Sequence, residues 1–95
     1  MNQTEFYELL AHQGFPEPIL VEYPANGSLD THTHNFEALA LVINGSMTIT
    51  IDGVKSDYSV GDVFHLKHQQ PHQESYGPIG VKYLASRKDN FLKRT

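Results

Sequence analysis

Six histidines stand among 95 residues, and five of them fall between positions 32 and 72. His32 and His34 are two apart. In a strand, alternate side chains point the same way, so both imidazoles would face one side. Two neutral imidazoles on one face can chelate a divalent metal, and a third ligand must then come from elsewhere in the fold. His72, 38 residues beyond His34, follows Pro71 at a loop-to-strand position. Glu74 shares its face by the same alternation. Taken alone, an H-x-H pair also fits two surface or hydrogen-bonded histidines. The surrounding elements must therefore decide.

Those elements are mostly β. Asn2 with Glu5 three residues on fits a capping box, and Phe6, Leu9 and Leu10 give an apolar stripe. A short helix over about residues 3–13 is expected, stopped by Gly14, Pro16 and Pro18. Ile19–Tyr23, Phe36–Ile43, Ser46–Ile51, Lys55–Tyr58, Val63–Leu66, His72–Tyr76 and Ile79–Ser86 read as strands. Asn44-Gly45 and Asp52-Gly53 are hairpin signals, because a type I′ turn needs positive φ at both central residues. Gly77-Pro78 separates the last two strands. Many short strands with turn chemistry between them predict a sandwich or barrel. Both faces of residues 36–43 are apolar. One should line the barrel, and the face of Leu39, Leu41 and Ile43 should pack on another sheet or a second subunit.

Composition limits other chemistries. The chain carries 7 Lys+Arg against 11 Asp+Glu, a formal net charge of −4, which argues against nucleic acid as a partner. The absence of Cys removes disulfides, thiolate nucleophiles and Cys-type zinc sites. No apolar run approaches the ~20 residues of a membrane span. The N-terminal segment lacks the basic and apolar regions of a secretory signal, so a cytoplasmic protein is expected. No phosphate-cradling glycine motif and no G-x-S-x-G elbow occur. Lys82 to Arg94 holds five of the seven basic residues. It reads either as a solvated strand and terminus or as a basic contact for an anionic ligand or partner.

In their order, these residues resemble the cupin superfamily over about residues 20–86. Gly27, His32-Thr-His34 and Gly45 follow the family's first motif. Gly61 and His72 stand at the separation of the second, in which Lys67, Gln69 and Tyr76 replace its Pro, Gly and Asn. The chain is also similar to the ligand-binding domain of arabinose-type transcription regulators. The resemblance implies an all-β fold, a double-stranded β-helix or jelly-roll barrel with one short N-terminal helix. Residues 1–95 would form a single domain with its barrel core at about 19–87. It also implies a divalent metal ion (Fe, Ni, Zn, Mn or Cu), a small-molecule ligand or substrate, and a homodimer.

The ligands would be His32, His34 and His72 with a carboxylate whose source stays open. Counting back from Gly45, the family's Glu position falls on Ala38, and Glu37 is its neighbour. In a regular strand Glu37 points away from the side that Ala38 occupies. A β-bulge between His34 and Glu37 would turn it inward. Otherwise Glu74 supplies the carboxylate or orients an imidazole. Glu74 and Tyr76 are the acid–base candidates. His65 reads as a strand-surface residue, His68 as a solvent-exposed loop residue, and His12 carries no assignment. Small Ala38 and Ala40 would leave room for a ligand. Three readings follow: a metal-dependent enzyme acting on a small organic molecule, a non-catalytic small-molecule sensor, and a metal-free module using the same cavity.

Overall fold

Two long antiparallel strands set the architecture of the computed structural model, which describes residues 1–89. In chain order the elements are α1 (Gln3–His12), β1 (Ile19–Tyr23), β2 (Ser28–His32), β3 (Glu37–Ile51), β4 (Val54–Ser59), β5 (Val63–Leu66) and β6 (His72–Lys88). β3 and β6 pair along most of their lengths. On one half of this ribbon, β5 lies against Ala38–Leu41 and β1 against Val81–Ala85, giving the order β1-β6-β3-β5. On the other half, β4 pairs with Ser46–Ile51 and β2 with His72–Ser75, giving β2-β6-β3-β4. The ribbon thus feeds two four-stranded layers, the arrangement of a jelly roll.

Residue parity records where the ribbon passes from one layer to the other. Ala38, Ala40 and Val42 face the core, and so do Met47 and Ile49. The odd step from 42 to 47 requires an irregularity. The register shifts between Val42 and Asn44 and again between Gly45 and Met47. The step from Tyr76 to Val81 on β6 is odd as well. Gly45 (φ 72°) and Gly80 (φ 80°) meet at this point, and a Cβ on Gly45 would run into the Gly80 carbonyl oxygen.

This corrects two expectations. Asn44-Gly45 is a bulge inside β3, not a hairpin turn. Gly77-Pro78 lies within β6, which does not break there. In both cases each flanking segment has its own partner on the opposite long strand, so the pairing carries the chain straight on. Asp52-Gly53 does form the hairpin, with both residues at positive φ (52° and 78°) and Ile51 opposite Val54.

The second apolar face of β3 is covered by the chain's own helix, where another sheet or subunit was expected. Phe6, Leu10 and Phe15 bury against Leu39 and Leu41. The capping box forms as read: the Glu5 amide donates to Asn2 Oδ1 at 2.8 Å, and the Asn2 amide donates to Glu5 Oε1 at 3.0 Å. Burial of Phe6 and Leu10 contributes about 1.5–3 kcal/mol each. Two bonds tie the chain after the helix to β6. Ser86 Oγ donates to Pro16 O at 2.6 Å, and Lys88 Nζ donates to Gln13 O at 2.8 Å while lying 4.4 Å over the Phe15 ring. Among the described residues no helix is long and apolar enough to cross a membrane.

Candidate metal centre

Alternation along β6 puts His72, Glu74 and Tyr76 on one face, and all three are buried. β2 runs antiparallel beside them, with Ser28 opposite Ser75 and Leu29 opposite Glu74. Continued regularly, that register would set Thr31 against His72. Instead the register shifts between Leu29 and His32, so that His32 pairs with His72. The extra residue turns the His32 imidazole inward. His34 lies just past the end of β2, its ring stacked on Phe36 (4.7 Å, 17°). The loop after β5 holds it there: the Gln69 amide donates to His34 O at 2.8 Å, and the Gln69 side chain donates to the Asn35 side-chain oxygen.

The three rings converge, with centroids 4.3 Å apart for His32 and His72, 5.0 Å for His32 and His34, and 5.2 Å for His34 and His72. With Glu74 they form a group whose candidate ligand atoms all lie within 4.8 Å of one another. Two imidazoles are oriented by the backbone. His32 Nδ1 lies 2.7 Å from Asp30 O, and His72 Nδ1 lies 2.9 Å from Gln70 O. A carbonyl only accepts, so each Nδ1 carries the proton. In the neutral ring, Nε2 is then a lone pair. Both Nε2 atoms point at one atom, Glu74 Oε2, at 3.2 Å from His32 and 3.0 Å from His72. The buried His32 Nε2 makes no well-aligned hydrogen bond there. Electron-rich atoms packed this closely require a positive charge among them. A donor set of three imidazoles and one carboxylate suits Zn, Fe, Mn, Ni or Cu.

Glu74 is itself oriented. Tyr76 donates to Glu74 Oε1 at 2.9 Å, which leaves Oε2 for the histidines. The Tyr76 ring stacks on Tyr23 at 4.6 Å. Burial first, and then the Glu74 carboxylate, raise the Tyr76 hydroxyl well above the ordinary phenol value, so it remains a donor. Burial also lowers His34, with His72 and His32 acting in the same direction. That ring is thereby kept neutral, as a ligand must be.

Glu37 lies elsewhere. It enters β3 opposite Lys88, and the register runs unbroken to Val42, so its side chain faces away from Ala38. Its carboxylate sits 2.5 Å from His65 Nε2. The irregularity near the site falls in β2, not between His34 and an inward Glu37. His65 is exposed on that outer face, as read, whereas His68 is half-buried in its loop where exposure was expected. The backbone carbonyls of Asp30 and Gln70 were invisible to residue-type reasoning, although both contacts reach back two residues.

A cavity of about 60 Å³ adjoins the group. Ala38, Ala40, Phe64 and Leu66 give it apolar walls, while His34 and Glu74 form the side shared with the cluster. It is small for a drug-sized ligand and suits a molecule of few atoms.

Residues 19–75 match the family model described as Cupin domain. No curated protein matches the chain. Solved structures do. A Rhizobium leguminosarum protein of unknown function superposes with a TM-score of 0.71 at 15% identity, covering 75% of this chain and 67% of that one. A cupin superfamily protein from Desulfitobacterium hafniense gives 0.66 at 22%, covering 75% and 64%. An RmlC-like cupin from Shewanella frigidimarina gives 0.66 at 17%, covering 82% and 69%. The chain thus spans about two thirds of the length of these structures, and at such identities the likeness is one of fold. With the family model matched over most of the barrel and the two-layer topology in agreement, the chain belongs to the cupin family.

Proposed function

We propose that this cupin holds a divalent metal ion on His32, His34, His72 and Glu74, and that it binds or acts on a small organic molecule in the adjoining cavity. One observation carries the reading: two imidazoles, each with Nδ1 spent on a carbonyl, aim Nε2 at a single carboxylate oxygen 3.2 and 3.0 Å away. When bound, the metal supplies Lewis-acid polarisation of a small molecule. The protein's own residues prepare for it. The Asp30 and Gln70 carbonyls fix the tautomers, Tyr76 holds Glu74, and the apolar cavity wall limits water. Zn, Fe, Ni, Mn and Cu all suit these ligands. Tyr76 acts as a positioning residue through Glu74.

A metal-free reading rests on the same 3.0 Å contact, because a protonated His72 would donate to Glu74 there. The cavity would then serve a sensor or binding module. Metal analysis of tag-free protein separates the two. The metal reading expects near-stoichiometric metal in the wild type, loss in His32→Ala and His72→Ala, and retention in Glu37→Ala. Metal content unaffected by the two histidine changes would refute the site.

The proposal extends to a cytoplasmic homodimer. Absence of Cys suits a reducing compartment. β1 pairs only with β6 among the described residues and leaves Ile19 and Leu20 exposed, a surface that a second copy would cover.

A further inference from the structure

Five basic residues can be placed along the second half of the chain, and they do different work. Lys55 is exposed on β4 opposite Thr50. Lys82 is exposed opposite Glu22. Lys88 is spent on Gln13 and Phe15. Lys67 lies in the exposed loop after β5. Lys93 and Arg94 lie outside the described residues. Among the described basic residues, Arg87 alone lines the cavity beside the histidine group. Its place follows from parity, since Tyr83, Ala85 and Arg87 share the inward face of β6. Its guanidinium sits 4.8 Å over the ring of Phe36, the same ring that stacks on His34. That contact holds the head group by its face and leaves the five N–H donors at its edge available. Arg87 forms no ion pair with a described carboxylate.

We propose that Arg87 is the specificity residue of the cavity, and that the molecule bound there is a small carboxylate. The inference rests on the metal reading above. Three neutral imidazoles, one carboxylate and a divalent cation sum to a single positive charge. Arg87 adds a second. Two positive charges beside one cavity of about 60 Å³ attract an anion rather than stay unbalanced, with the exposed Arg87 guanidinium at the solvent side. A neutral ligand would leave them so, and a second cation would worsen it. A carboxylate of a few carbon atoms offsets one charge and a dicarboxylate offsets both, and the planar guanidinium matches the two oxygens of a carboxylate group. The cavity walls of Ala38, Ala40, Phe64 and Leu66 accept the short carbon skeleton. The cavity size disfavours a sugar-sized or aromatic acid.

The test titrates acetate, pyruvate and malonate into protein loaded with Ni²⁺, using acetamide as the neutral isostere of acetate and isothermal calorimetry as the readout. The wild type should bind at least one of the acids and should not bind acetamide measurably. Arg87→Gln should weaken that acid at least tenfold while metal content by elemental analysis is unchanged. Arg87→Lys should recover part of the loss, because it restores charge without the fork. If no acid binds the wild type, if acetamide binds as well as acetate, or if Arg87→Gln binds like the wild type, the inference is overturned. Failure of the metal reading looks different: the wild type retains no Ni²⁺. Acid binding that still depends on Arg87 in such metal-free protein would overturn the ligand set alone and keep the anion specificity.

Discussion

A histidine whose Nδ1 is bound to a carbonyl has only Nε2 to offer a ligand. His32 and His72 are both in that state, and the choice is made by the backbone two residues earlier. The carboxylate they face is in turn aimed by Tyr76. Glu74→Gln should therefore cost more metal affinity than Tyr76→Phe. Competition against a chromogenic chelator should show a loss of roughly a hundredfold or more for the first and about tenfold for the second. Equal losses would mean that the tyrosine is a ligand in its own right. Protonation gives a second expectation. The folded state lowers His34, mainly through burial, so below about pH 6.5 the unfolded chain binds a proton that the folded chain does not. Stability of the metal-free protein should fall on acidification through that range. His34→Gln should show a shallower fall between pH 7.5 and 5.5 in urea titrations. Although a register shift in β2 and the loop beyond it, rather than regular alternation, bring His32 and His34 to the group, the histidine pair and His72 were legible from their types and spacing. The carboxylate was not, because Glu37 and Glu74 both lie near the motif and only the position of the β2 bulge decides which residues face inward.

Elements are joined here by a few backbone positions that tolerate no side chain. Gly45→Ala would force a Cβ against the Gly80 carbonyl at a left-handed φ. It should destabilise the domain by about 3 kcal/mol or more, read as a fall in urea midpoint. At Gly53 the flank is open, with no atom near an added Cβ, so Gly53→Ala should cost only the strain of its φ, about 1–2 kcal/mol. The contrast separates a bulge between two long strands from a free hairpin tip. Sequence treated the two alike, because Asn-Gly and Asp-Gly carry the same local preference. What distinguishes them is long-range pairing with β6, which no local signal encodes. The helix was the reverse case: its capping box and stripe were local and were read directly. Its docking partner, the face of Leu39 and Leu41, was recognised as needing cover but not matched to Phe6 and Leu10. Phe6→Ala should therefore cost about 3–5 kcal/mol by opening that face.

Across the whole molecule, the jelly roll brings segments some 40 residues apart to one point. β2 contributes His32, the chain just beyond it His34, and β6 both His72 and Glu74. The same long strand then carries Arg87 to the cavity and Lys88 to the helix, on opposite faces. One element thus connects the metal ligands, the pocket and the cover of the second apolar face. Damage to the helix should accordingly lower stability without displacing the histidines, and Phe6→Ala protein kept below its melting temperature should retain metal. The most direct test of the central claim is an anomalous difference map from crystals soaked in Zn²⁺ at pH 7.5. The expected result is a peak within bonding distance of the imidazoles of His32, His34 and His72 and of the Glu74 carboxylate. A peak at the Glu37–His65 pair instead, or none at the histidine group, would contradict it.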